Sequence, residues 1–245
     1  MDFVSCNIPI KMRVLLYGRT SKIIEGLVKS LSFQLVSSNP DVVISYGGDG
    51  TLLSTERRFP HIPKFPIRSS QLYNKCSKHK DEVMLKKLLE GKLLLKEYKK
   101  IVTTIFYKNF YALNDFVIRN SDTTHSIRFK TSETNDQLLI GDGVVISTPL
   151  GSTAYFKSIT SKSFKSGFGM TFNNITKRIP PVYFKEKDQV TFNLVRGKAT
   201  LSFDNNPDIF TLDEGSELIF SLSDQTAQIY EPETLRCPDC KMIHS

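Results

Sequence analysis

The 245-residue sequence contains no apolar run approaching the roughly 20 residues that a membrane-spanning helix needs, which excludes a helical transmembrane protein. It has no internal repeat and no low-complexity tract, so repeat architectures and linker-like chains are excluded as well. Cysteine is scarce. Four residues, two of them flanking Pro238-Asp239, make no disulfide framework for a chain of this length and point to a reducing compartment. The start, Met1-Asp2-Phe3-Val4-Ser5-Cys6, has no basic flank leading into an apolar stretch, so no secretory signal is expected and the expected location is cytoplasmic. Arginine-aromatic stripes are missing too. The 33 basic and 25 acidic side chains leave a net charge of +8, yet the lysines are dispersed among acids, and Lys86-Lys87 and Lys99-Lys100 read as solvated faces. Dispersed positive charge speaks against a nucleic-acid partner and still gathers anionic small molecules such as nucleotides. What is present is an ordinary globular balance, 40% hydrophobic and 24% charged, long enough for one large domain or two modest ones.

The first third alternates strands and helices. Residues 12–17 form a short apolar run ending at Gly18, and Ile23, Ile24, Leu27, Val28 and Leu31 then recur at helical spacing, with Thr20 or Ser21 available as a cap. Residues 33–36 and 41–46 read as further strands. Strands without polar alternation, separated by helices, predict a parallel sheet covered on both faces. Pro60, Pro63 and Pro66 then deny regular helix and leave at most a short strand near Phe65 and Ile67. Asp81 is expected to cap a helix whose apolar positions are Val83, Met84, Leu85, Leu88 and Leu89 and which closes near Gly91. From about Lys96 the pattern becomes β-rich, with strands expected over 97–107, 111–119, 125–131, 138–148, 189–195, 199–204, 209–212 and 217–222. Turn chemistry such as Asp204-Asn205-Asn206-Pro207 punctuates them, and only 151–162 suggests a short helix. The expected organisation is an α/β domain at 1–96, an all-β-rich, sandwich-like domain at 97–226 and a tail at 227–245.

Three segments carry chemistry. Gly47-Gly48-Asp49-Gly50-Thr51-Leu52-Leu53 follows a buried strand and opens a helix, so its backbone can approach phosphate oxygens at a helix N-terminus. A plain strand-to-helix turn needs the glycines but not Asp49; a carboxylate among phosphates makes sense when it accepts a proton from an attacking hydroxyl or holds a metal-bound water. Leu113-Asn114-Asp115-Phe116 begins a strand with an amide and a carboxylate, a pair suited to ribose hydroxyls or a base edge, although an Asn-Asp turn is a common alternative. In Gly141-Asp142-Gly143-Val144-Val145-Ile146-Ser147-Thr148-Pro149-Leu150-Gly151-Ser152-Thr153-Ala154-Tyr155, a strand ends at a turn and a helix starts, with Ser152 or Thr153 expected to cap it. Hydroxyls and an aromatic ring gathered there suit a nucleotide base and sugar.

The order GGDGTLL, ALNDFVI, GDGVVISTPLGSTAY resembles the NAD kinase family, by motif from about residue 41 to 158 and by domain order over most of the chain. The resemblance implies an α/β nucleotide-fold domain before a β-rich one, with NAD between them. It implies transfer of the terminal phosphate of ATP, or of another donor such as polyphosphate, to the 2′-hydroxyl of the adenosine ribose. Asp49 then corresponds to the catalytic aspartate that engages or deprotonates that hydroxyl. Gly47, Gly48 and Thr51 would cradle donor phosphates, and Gly50 would lie close to NAD. Asn114 and Asp115 match the pair that holds the dinucleotide, Asp142 a residue near the nicotinamide, and Thr153, Ala154, Tyr155 and Ser158 the adenosine-binding turn. Mg²⁺ enters with the donor. A homodimer or homotetramer with sites completed by neighbouring subunits, and a tail packed on the first domain, are further implications. The chain departs from the family at Lys64-Phe65-Pro66-Ile67-Arg68-Ser69-Ser70-Gln71-Leu72, where a glycine-rich segment is usual, at Leu150, at Ser158-Ile159-Thr160-Ser161 and at Ser202-Phe203-Asp204-Asn205.

Cys237-Pro238-Asp239-Cys240 is a knuckle whose two sulfurs can meet one metal, and Cys76 with His79 has the same gap. Together they make a candidate structural zinc site, against the alternative of unrelated thiols on a polar tail. Two other functions compete with the kinase reading. A lipid kinase of the diacylglycerol kinase type shares the Gly-Gly-Asp-Gly-Thr turn but usually continues with Asn-Glu, where this chain has Leu52-Leu53-Ser54. A dinucleotide-binding protein without turnover would account for the altered 64–72 segment, while Asp49 argues against it.

Overall fold

The computed structural model describes residues 11–135, 137–231, 235 and 237–243, so the expectation placed on residues 1–6 lies outside the described residues. The chain divides into two units, Met1–Glu97 with Gln228–Ser245, and Tyr98–Ala227.

In the first unit, β1 (Arg13–Tyr17), β2 (Gln34–Leu35), β3 (Val42–Tyr46) and β4 (Lys64–Ile67) run parallel in the order β2-β1-β3-β4. Three α-helices accompany them: α1 (Glu25–Ser30), α2 (Asp49–Arg58) and α3 (Asp81–Leu89). Val42, Ile44 and Tyr46 pack with Val28 of α1 and with Met84, Leu85 and Leu88 of α3. The intervening Ser45 faces α2, where the Thr55 hydroxyl donates to its Oγ at 3.1 Å. A strand covered on both sides needs no polar alternation, and β3 has none. The first helix is shorter than its apolar spacing suggests, because a 3₁₀ turn at Ser21–Ile24 precedes α1. Thr20 does not cap it; its hydroxyl lies 3.1 Å from that of Ser69 instead. Likewise Asp81 is the first residue of α3 rather than its cap, and its carboxylate pairs with Lys75.

The proline-containing segment forms β4, buried throughout although it begins with a lysine. Lys64 reaches Glu56 of α2, and both side chains are almost inaccessible. Two opposite charges taken out of water together hold helix and strand at one separation.

The first unit also holds β5 (Tyr73–Asn74). The second unit is antiparallel and is built from β6 (Leu95–Ile105), β7 (Lys108–Ala112), β8 (Asp115–Asn120), β9 (Ile127–Thr131), β10 (Leu139–Gly141), β11 (Gly143–Ser147), β12 (Phe168–Asn173), β13 (Val182–Phe184), β14 (Gln189–Arg196), β15 (Ala199–Phe203), β16 (Phe210–Leu212) and β17 (Glu217–Tyr230), whose first and last strands run on into the first unit. One sheet has the order β13-β12-β11-β8-β15-β16; β10, β9, β14 and β17 are neighbours in another, with β6 paired to β17 and β7. The two meet through phenylalanines, Phe116 of β8 lying 5.4 Å from Phe220 of β17. β12 and β13 carry no expected strand. Five of the six residues of β12 are buried, so the sequence there shows no alternation.

Two short elements complete the chain. A 3₁₀ turn at Gly151–Thr153 leads into α4 (Tyr155–Thr160). Back in the first unit, Ile229 pairs in parallel with Lys64, and β18 (Lys241–Met242) pairs antiparallel with β5. Among the described residues no helix is long and apolar enough to cross a membrane.

Candidate active site

β3 ends at Tyr46 and hands the chain to the turn that opens α2. Gly47 is buried and its N–H donates to the Ile67 carbonyl at 2.8 Å. A Cβ on Gly47 would lie 2.1 Å from Thr51 Oγ1, so only glycine lets Thr51 fold back over the turn. The N–H groups of Thr51 and Leu52 both donate to the Gly48 carbonyl, at 3.0 and 3.2 Å. Asp49 is the first residue of α2 and is exposed, as is Gly50, at the positive end of the helix dipole. The turn is braced from below. The Tyr46 hydroxyl accepts from the Ser70 N–H at 2.9 Å and donates to Asp81 at 3.3 Å, and burial raises its pKa above the ordinary tyrosine value.

In the second unit, the 113–115 and 147–151 segments meet. The Thr148 hydroxyl donates to the Leu113 carbonyl at 2.6 Å, and its N–H donates to the Asn114 carbonyl at 2.9 Å. Gly151 passes so close that a Cβ there would lie 2.1 Å from the Asn114 carbonyl oxygen. Asn114 and Asp115 are both buried, at 8% and 7% exposure. The organising group is Asp204, which the sequence marks as part of a turn and of the Ser202-Phe203-Asp204-Asn205 departure but not as a site residue. Its carboxylate accepts from the N–H groups of Leu113, Asn114 and Asp115 at 2.9, 2.7 and 3.4 Å. Burial raises Asp204 to about 6, against the pull of those N–H groups and of Lys100. Burial, together with the negative charge of Asp204, raises Asp115 to about 7. Near neutral pH this carboxyl therefore both donates and accepts, which suits vicinal ribose hydroxyls.

Ser152 and Thr153 do not cap α4. The Ser152 hydroxyl donates to the Pro149 carbonyl at 2.8 Å, and that of Thr153 to the Leu150 carbonyl at 3.2 Å. They tighten the preceding turn instead. Thr153, Ala154 and Ser158 are exposed and Tyr155 is half-buried, while Phe156 anchors the helix against Phe164 at 5.2 Å. Asp142 stands apart from these residues. It precedes β11, whose far end, Ser147, pairs with Asp115, so roughly 16 Å of strand separates them. Its carboxylate accepts from the Asn174 side chain at 3.1 Å.

Cys76, His79, Cys237 and Cys240 come together in the first unit, with ligand atoms all within 4.8 Å of one another. Among the described residues this is the one group of three or more histidine, cysteine or acidic side chains arranged to hold a metal.

The chain aligns with an NAD kinase of Sulfurimonas denitrificans at 26% identity over 238 residues, 91% of this chain and 82% of that protein. Over most of its length the chain is similar to NAD kinases. NAD kinases from Sulfurisphaera tokodaii and Listeria monocytogenes (its NAD kinase 2) are more similar over shorter stretches, 34% over 147 residues and 35% over 127. These matches span about half of each relative, 56% and 48%. No protein-family model matches the chain. Among solved structures, an NAD kinase from Archaeoglobus fulgidus in complex with ATP superposes with a TM-score of 0.72 at 19% identity, covering 92% of this chain and 96% of that one. Yeast NADH kinase complexed with NADH gives 0.66 at 15%, covering 90% and 82%. At those identities the superpositions establish the fold: an N-terminal mixed α/β sheet and a C-terminal antiparallel β sheet, as in NAD kinases.

Proposed function

We propose that the chain is an NAD kinase that transfers the terminal phosphoryl group of ATP to the 2′-hydroxyl of the adenosine ribose of NAD. The observation that carries this reading is the exposed carboxylate of Asp49 at the start of α2, inside a glycine turn of a chain similar to NAD kinases. Gly47 shapes the turn, and the turn at Gly48, at the positive end of the α2 dipole, receives the donor phosphates. Asp49 accepts the proton of the 2′-hydroxyl as that oxygen bonds to the γ-phosphorus and the bridging bond to ADP breaks. Asn114 and Asp115, held by Asp204, bind ribose hydroxyls. Thr153, Ala154, Tyr155 and Ser158 take the adenosine, and Gly50 borders the dinucleotide. Thr51 acts here by closing the turn over Gly47 and so sets the phosphate site.

The Archaeoglobus protein was crystallised with ATP and the yeast protein with NADH, which supports a nucleotide donor and a dinucleotide acceptor. A divalent cation fits the family. The hard oxygens available for it are donor phosphates and the Asp49 carboxylate, the set Mg²⁺ favours. When bound it neutralises charge on the transferring group. Soft Cys and His ligands do not suit that ion; the zinc reading of that cluster is structural. Asp142, at the far end of β11 from Asp115, borders the nicotinamide, and the resemblance to NAD kinases supports a homodimer or homotetramer.

Asp49→Asn tests the assignment. NADP formation should fall by about 10²-fold or more, the usual contribution of a positioned base, while calorimetric NAD affinity holds. Normal turnover in this variant would overturn the role of Asp49.

A further inference from the structure

We infer that Cys76, His79, Cys237 and Cys240 bind a zinc ion that fixes the Tyr73 segment beneath the turn at the start of α2. Cys76 Sγ lies 3.7 Å from Cys240 Sγ and 4.0 Å from Cys237 Sγ. His79 Nδ1 lies 3.3 Å from the sulfurs of both Cys76 and Cys240. Ligands at about 2.3 Å (sulfur) and 2.0 Å (nitrogen) from a tetrahedral zinc are separated by roughly 3.5–3.8 Å, close to these edges. They are far from the roughly 2.05 Å of a disulfide.

The backbone is shaped for the same ion. Each ligand pair closes a tight turn, with the His79 N–H on the Cys76 carbonyl at 3.0 Å and the Cys240 N–H on the Cys237 carbonyl at 3.2 Å. The Cys76 N–H also donates to Cys240 Sγ at 3.4 Å. Three thiolates and one imidazole are soft ligands that select zinc over magnesium. Four protein ligands leave no open position, so the site is structural. Lys78 and Lys241 adjoin the ligands in sequence and offset the net negative charge of a zinc with three thiolates.

The metal acts on the turn through two short strands. β5 and β18 are two residues each, too short to stay paired unaided. Their pairing sets Met242 opposite Tyr73, and the Ile243 N–H donates to the Leu72 carbonyl at 3.0 Å. The Tyr73 hydroxyl then lies 3.4 Å from where a Cβ on Gly48 would sit, and its ring lies under the Arg68 guanidinium at 4.2 Å. A second path runs from Lys75, next to Cys76, through Asp81 to the Tyr46 hydroxyl. A metal clip thus supports the phosphate turn where the 64–72 segment lacks glycines. Its consequence for turnover rests on the kinase reading; the metal site does not.

Tag-free full-length protein should carry stoichiometric zinc through dialysis and release it when an organomercurial blocks the thiols. Cobalt exchanged into the site should give thiolate charge-transfer bands and the strong d–d absorption of tetrahedral coordination. Cys237→Ser with Cys240→Ser should abolish both signals. Metal removal should speed hydrogen exchange at the 72–74 amides and at Ile243. Fully reduced protein without zinc, or a double variant that retains it, overturns the site. Exchange unchanged by metal removal overturns its positioning role. Cobalt spectra of the unaltered chain decide the metal question even where the double variant fails to fold. Absent NADP formation with zinc in place counts against the kinase reading alone.

Discussion

The turn at the start of α2 and the strand start at β8 treat acidic side chains in opposite ways. At the turn, Asp49 is left exposed, and the charges that are buried, Glu56 and Lys64, lie behind it and answer each other. At β8, Asp115 is buried and Asp204 largely enclosed; backbone N–H groups hold Asp204, and Lys100 acts on it electrostatically. On the proposed reading, the exposed carboxylate meets the reacting hydroxyl and the enclosed ones shape a binding pocket, so catalysis and recognition would ask different environments of the same residue type.

The comparison breaks most visibly at the buried pair. Lys64→Ala should cost about 3–5 kcal/mol in urea unfolding, because Glu56 is left charged and enclosed. Replacing both partners by apolar residues, Glu56→Leu with Lys64→Met, should restore most of it. A double variant as unstable as the single one would refute this account of the pair.

The β8 carboxylates predict a pH dependence of the reverse kind. Folded-state values near 7 for Asp115 and 6 for Asp204 lie above the ordinary 3.8. The folded chain therefore holds protons that the unfolded chain has lost. These two groups lower stability as pH rises from about 4 to about 7. Asp115→Asn should raise stability at pH 8 by on the order of 2 kcal/mol and leave it nearly unchanged at pH 4, measured by thermal unfolding. An equal effect at both pH values would show that proton release from Asp115 is not the cause.

The smallest effect sharpens the comparison within the turn itself. Gly48→Ala meets only ordinary contact with Tyr73, whereas a side-chain carbon at Gly47 would collide with Thr51. The Gly48 variant should lose no more than about 1 kcal/mol yet raise KM for ATP several-fold. Unchanged KM would remove Gly48 from the phosphate site.

Much of this was legible beforehand, for physical reasons that also mark its limits. β3 follows from an uninterrupted apolar run, α2 from the glycine turn that opens it, and α3 from 3.6-residue spacing. The equal gaps 76–79 and 237–240 marked Cys76, His79, Cys237 and Cys240 as a candidate set, and the fold brings the four side chains together. The hairpin between β6 and β7 was not, since Phe106 and Tyr107 adopt left-handed conformations (φ 47° and 64°) where Asn-Gly would have signalled a turn. β12 was missed because burial on both faces erases alternation. Asp204 sits at φ 49° in an Asn-rich turn, and nothing local to it reveals that its carboxylate holds backbone ninety residues away.

A tracer follows the transferred phosphorus most directly. With Mg²⁺, NAD and ATP radiolabelled in the γ-phosphate, the unaltered protein should place label in the 2′-phosphate of NADP, saturably in both substrates. NAD binding without transfer from ATP, GTP or polyphosphate, or label recovered in lipid instead, would contradict it.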